Sequence, residues 1–103
     1  MTALLFWKDQ AREDLLDIYV TIALDNIDAA ERLYKEIGEQ IALLRDLPRM
    51  GVRRSEITPF ARMLIHGVYL IFYKTRPDTD EGPIDEVEIV RIVHGHRDLS
   101  HLF

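Results

Sequence analysis

Residues 62–74 read Arg62-Met63-Leu64-Ile65-His66-Gly67-Val68-Tyr69-Leu70-Ile71-Phe72-Tyr73-Lys74. Two runs of branched and aromatic side chains flank the dipeptide His66-Gly67, which is the pattern of two strands joined by a compact turn. The first strand is expected over Arg62 to Ile65, the second over Val68 to Lys74. Side chains alternate along a strand, so Val68, Leu70 and Phe72 face one way and Tyr69, Ile71 and Tyr73 the other. Both sets are apolar. The run from Glu86 to His94 is another strand and is also apolar on both faces, through Val87, Ile89, Val90, Ile92 and Val93. A sheet of this kind needs cover on both sides.

Upstream, the period changes. From Lys8 to about Leu24, Ala11, Leu15, Ile18, Tyr19, Ile22 and Ala23 recur at three- and four-residue spacing and form one stripe of an amphipathic helix. Leu16 and Val20 fall outside the stripe. They either widen the core face or meet a partner. Asp25, Asn26 and Asp28 supply a break and an N-terminal signal for a second helix reaching Leu47. Its stripe is Ala30, Leu33, Tyr34, Ile37, Ile41 and Leu44, and Pro48 ends it. The short break makes the two helices an antiparallel hairpin. Leu4 to Phe6 reads as a first strand, Val52 to Ile57 as a strand after the helices, and Thr75 to Pro83 as a polar loop. The order predicts one α+β domain over residues 1–103, with the helical hairpin packed on a twisted, mainly antiparallel sheet. One hairpin covers one face. The other face is left to the C-terminal tail, to a partner, or to partial exposure, and apolar exposure of that size marks an interaction site.

The 103 residues fit a single domain. The absence of cysteine excludes disulfides, thiolate metal sites and cysteine nucleophiles. The first residues lack the basic start and long apolar run of a signal peptide, and no stretch suffices to span a membrane, so a cytoplasmic chain is expected. Charge is uneven: residues 1–47 carry 5 basic and 10 acidic side chains, and residues 48–103 carry 8 of each. The basic residues after Pro48 begin with Arg49, Arg53, Arg54 and Arg62, interrupted only by Glu56. A net charge of −5 opposes general nucleic-acid binding.

Several stretches together resemble toxins of the RelE/ParE superfamily. They are Ala11 with Asp14-Leu15 and Ile18-Tyr19, Ala30 through Leu44 and Leu47-Pro48 to Gly51, Arg53 with Glu56-Ile57, Arg62-Met63-Leu64, and Tyr69 to Tyr73. The closing run from Val87 to Asp98 is the most specific. Its ending, Arg91-Ile92-Val93-His94-Gly95-His96-Arg97-Asp98, is similar to that of the ParE branch. The chain departs from the family at Lys8, where a capping Ser or Thr is common; Asp9 is expected to cap one residue later. The resemblance implies the toxin half of a type II toxin–antitoxin pair, a non-enzymatic inhibitor of DNA gyrase. It implies a ParD-like antitoxin that wraps the toxin, so that DNA is contacted only through the antitoxin. No cofactor is implied.

Against that frame the candidate residues divide into groups. Leu16, Val20, Arg53, Arg54, Arg62, Tyr69, Ile71 and Tyr73 are candidates for antitoxin binding. The arginines are either solvated or pair with acidic side chains through planar contacts. His94, His96, Arg97, Asp98, Leu102 and Phe103 are candidates for target contact. A RelE-type ribonuclease would need an acid, a base and phosphate-binding cations, for which His94, His96, Arg62, Arg91 and Arg97 are candidates. No tyrosine follows Tyr73, unlike the RelE pattern, and the acidic charge opposes ribosomal RNA. His94, His96 and His101 invite a metal reading, but histidines hydrogen-bonded at a strand end explain them better. Asp14 and Asp17 are expected on a solvated helix face, and Trp7 as a core or edge anchor.

Overall fold

The computed structural model describes residues 2–96 and residue 99. Strand β1 (Leu4–Trp7) precedes helices α1 (Asp9–Ala23) and α2 (Ile27–Ala42) and a 3-10 turn, Leu43–Arg45. Strands β2 (Val52–Arg53), β3 (Arg62–His66), β4 (Tyr69–Arg76) and β5 (Glu86–His94) follow. The sheet order is β1-β5-β4-β3-β2. Only β1 and β5 pair in parallel, Leu4 opposite Glu86; the other three pairs are antiparallel. This is the expected α+β arrangement. Among the described residues no helix is long and apolar enough to cross a membrane.

The helix boundaries have local causes. Asn26 caps α2, its side chain accepting the Ala29 amide at 3.0 Å. Helix α1 starts at extended Lys8 with no side-chain cap, and Asp9 lies in its first turn, where the dipole favours an anion. The expected Asp9 cap is therefore replaced by a backbone start one residue earlier. Beyond α2 the chain tightens into the 3-10 turn before Pro48 ends it.

The hairpin covers one sheet face. Ala11, Leu15, Ile37, Ile41 and Leu44 pack there on Leu64, Ile71, Tyr73, Val87, Ile89 and Ile92. Ile89 and Ile92 share this face although three residues apart, because the β4–β5 register shifts between Phe72 and Tyr73: Tyr73 opposes Ile89 while Phe72 opposes Arg91. Val90 is the extra residue of a bulge. The far face carries a second, smaller core of Ala61, Met63, Phe72 and Val93, with Ile57, Leu70 and Leu99 packed against it. The chain therefore contributes its own cover to the far face, from the loop before β3 and from Leu99.

One expected strand is shortened. Only Val52 and Arg53 pair with β3. The chain then turns, with the amides of Ile57 and Thr58 both donating to the Arg54 carbonyl at 2.9 and 3.0 Å. Pro59 has no N–H for a ladder, and the turn folds Ile57 back onto the far-face core.

Candidate functional site

The outer side of the helical hairpin carries an apolar furrow. One part, about 180 Å³, is lined by Trp7, Arg12, Leu15, Leu16, Tyr34 and Gly38. A second, about 270 Å³, is lined by Leu16, Tyr19, Glu31 and Tyr34. Leu16 and Tyr34 line both, so the two lie side by side. The furrow is built from fixed groups. The rings of Tyr19 and Tyr34 meet edge to face at 5.8 Å, and the Tyr19 hydroxyl donates to Glu31 Oε1 at 2.6 Å. That bond, which favours the neutral phenol, holds the Tyr19 pKa above its ordinary value. The Arg12 guanidinium lies 5.7 Å from the Trp7 ring centroid. No atom approaches within 4 Å of where a Cβ on Gly38 would sit, so the furrow is open above it. Leu16 is 57 % exposed and Val20 46 %. Both stand outside the packed stripe, with Leu24 and Ile27 exposed beyond them. Tyr34, which the periodicity assigns to the core, is instead half exposed and lines the furrow.

The β4 residues expected to meet a partner are placed differently. Ile71 and Tyr73 are fully buried beneath the hairpin and present no surface to a partner. The reason is that the helices cover the Tyr69–Ile71–Tyr73 side. Tyr73 also ties the Pro48 corner down: its hydroxyl donates to the Pro48 carbonyl at 2.9 Å and accepts from the Gly51 amide at 2.8 Å. Burial raises its pKa. A Cβ on Gly51 would lie 2.6 Å from the Tyr73 ring, so the corner admits only glycine without a shift. Tyr69 is half buried at the strand end.

The arginines are engaged within the chain. Arg53 holds Asp78 at 2.9 Å and Asp80 at 2.8 Å. Arg62 reaches Asp80 at 3.1 Å and the Gly51 carbonyl at 3.3 Å. Arg54 pairs with Glu56 and leans on the Met63 sulfur at 3.5 Å. The Arg53 bond holds the Asp80 carboxyl below its usual range.

Asp14 corrects a further expectation. It is buried, 8 % exposed, where a solvated helix face was expected. Its carboxylate accepts Arg91 Nε at 2.8 Å, Arg91 Nη2 at 3.1 Å, the Ile92 amide at 2.9 Å and the Gln10 side chain at 3.0 Å. Burial alone would raise its pKa, but the Arg91 bonds, the Ile92 amide and Gln10 outweigh it and hold the carboxyl low. The contact fastens α1 to β5.

At the C-terminal end of β5 the His94 ring meets Tyr69 edge to face at 5.7 Å and stacks on His96 at 4.9 Å. The His96 amide donates to His94 Nδ1 at 3.1 Å. Arg97, Asp98, Leu102, Phe103 and His101 lie outside the described residues. Among the described residues no group of three His, Cys, Asp or Glu comes together to hold a metal ion. Of the residues considered for RNA cleavage, His94 and His96 meet, while Arg62 stands apart from them. Arg62 opposes Tyr73 and His94 opposes Tyr69, four residues apart on β4, or about 13 Å along the strand. Arg91 is committed to Asp14.

Tyr19, Tyr34, Trp7 and Gly38 were not singled out as site residues by the sequence. The available signal was the pair Leu16 and Val20, apolar yet off the stripe.

A solved structure from the chromosomal ParDE toxin–antitoxin system of P. aeruginosa superposes with a TM-score of 0.70 at 24 % identity, over 90 % of this chain and 96 % of that one, which establishes a shared fold. No curated protein matches. The family model for the ParE toxin of the type II toxin–antitoxin system parDE matches residues 5–99. With nearly the whole chain matched, the protein belongs to the ParE toxin family.

Proposed function

We propose that this chain is the toxin of a type II pair, acting without catalysis in the cytoplasm by binding DNA gyrase, and that a ParD-like antitoxin silences it by seating an amphipathic segment in the furrow of the helical hairpin. The observation that carries the antitoxin reading is the furrow itself, with Leu16 and Tyr34 exposed along it. A bound apolar face would remove these side chains from water. The solved ParDE relative comes from a system with both components, and a paired antitoxin is carried across from it.

Target contact is assigned to His94 and His96, exposed at the end of β5 and just after it, together with Arg97, Asp98, Leu102 and Phe103. Of the residues weighed for RNA cleavage, Arg91 is taken up by Asp14 and Arg62 lies four strand positions from His94, which favours a binding mechanism. The test is a gyrase supercoiling and cleavage assay with purified chain, with and without the antitoxin encoded beside it. Inhibition with accumulated cleaved DNA, reversed by antitoxin, supports the proposal. Active gyrase in the presence of folded, growth-inhibiting toxin rejects that target, and ribosome-dependent mRNA cuts would replace it.

A further inference from the structure

The loop between β4 and β5 is held from outside by three arginines. Arg49 donates to the carbonyls of Thr79 and Gly82 at 3.0 and 2.8 Å and to the Thr79 hydroxyl at 3.3 Å. Arg53 and Arg62 both grip one oxygen of Asp80, Oδ1, at 2.8 and 3.1 Å, and Arg53 also holds Asp78.

The two sides of this contact differ in kind. The Arg62 side chain is 8 % exposed and stands on β3; Arg53 is 28 % exposed and stands on β2 beside it. Asp80 is 76 % exposed on an irregular loop. A cationic fork fixed to the sheet therefore meets an exposed carboxylate on an irregular loop that Arg49 also holds. The fork is also incompletely used. Arg62 bonds through Nη1 and Nη2, whereas its buried Nε has no hydrogen-bond partner among the described residues. The Nε and Nη2 edge is the one that receives a carboxylate in two parallel bonds.

We infer that Arg53 and Arg62 form a carboxylate-binding site, that Asp80 occupies it in the free chain, and that an acidic segment of a partner protein takes it by displacing the Asp78–Asp80 loop. Asp80 is itself 76 % exposed, so an incoming carboxylate can reach the position that it occupies between the two arginines. An incoming glutamate can add the Nε bond that Asp80 leaves unmade. A protein carboxylate is favoured over a phosphate backbone because the chain as a whole carries −5. The identity of the partner, an antitoxin, rests on the function proposed above; the exchange itself is measurable on the isolated chain.

The probe is a fluorescein-labelled hexaglutamate peptide, followed by anisotropy at low salt. The comparison is between the native chain and Asp78→Asn/Asp80→Asn, with Glu13→Gln/Asp25→Asn as a charge-matched control on the helical side. If the loop fills the site for nine-tenths of the time, releasing it tightens binding about tenfold. The control should stay near native. Adding Arg53→Gln to the released variant should abolish the gain. Adding Arg53→Lys, which keeps the charge but loses the fork, should abolish most of it, and thermal melts verify that each variant is folded. Peptide should also shift the Arg62 Nε–H resonance. Equal affinity of native and released chains, an equal gain in the charge-matched control, or preference for a single-stranded oligonucleotide would each overturn the inference. None of these results bears on whether gyrase is the target or whether an antitoxin binds the furrow.

Discussion

Asp14 is buried with four donors directed at it, and it depends on Arg91 for its charge. Arg91→Met should cost about 3–5 kcal/mol, because a buried carboxylate would lose its cation. Urea unfolding measures this. The pH dependence follows from the same contact. The folded carboxyl titrates below its unfolded value, which is about 3.9. Its contribution is therefore complete above that value and is lost as the pH falls through the folded pKa. Asp14→Asn should lower stability at neutral pH and flatten the acid limb of a stability–pH curve. An unchanged acid limb would remove Asp14 as its origin. Tyr73→Phe keeps the ring in the core but leaves the Gly51 amide and the Pro48 carbonyl without their partner. The expected loss is about 1–3 kcal/mol by thermal or chemical unfolding. Neither contact could be read from sequence. Asp14 lies on the stripe of Ala11 and Ile18 by spacing, but its charge argues for solvent, and the arginine that offsets its burial is on β5, 77 residues away.

At the scale of elements, α1 and α2 were legible because the apolar stripe, Asn26 and Pro48 are local signals. Strand β5 was legible in full, as a continuous branched run. Strand β2 was overextended because Val52 to Ile57 has strand composition, while the turn at Arg54 arises from contacts with the far-face core. The β4 faces were assigned correctly as a pair, but which one the helices cover depends on the packing of the whole sheet. That choice buried Ile71 and Tyr73 and removed them from the candidate surface. The furrow on the helices was partly visible, through Leu16 but not Tyr19 or Tyr34. Leu16→Asp tests it at this scale. The side chain is exposed, so unfolding free energy should stay within about 0.5 kcal/mol of native. Antitoxin affinity measured by calorimetry should fall about 30-fold, the cost of a 2 kcal/mol hot spot. Retained affinity would move the antitoxin to another face.

Across the whole molecule, two cores of unequal size sit on opposite faces of one sheet. The far-face core depends on Leu99. Leu99→Ser should lower the melting temperature by about 5 °C, as expected for a loss of roughly 1 kcal/mol. Deleting residues 100–103 probes target contact: toxicity should be lost while antitoxin binding persists. The parallel pairing of β1 with β5 has a different consequence. Leu4 finds its partner in Glu86, so the first strand of the sheet waits for the last. During synthesis the amino-terminal strand and the hairpin emerge well before the segment that completes their sheet. Contacts this distant in sequence close late. A ribosome still translating this message therefore carries a chain whose sheet is incomplete, and the finished toxin exists only after β5 has emerged.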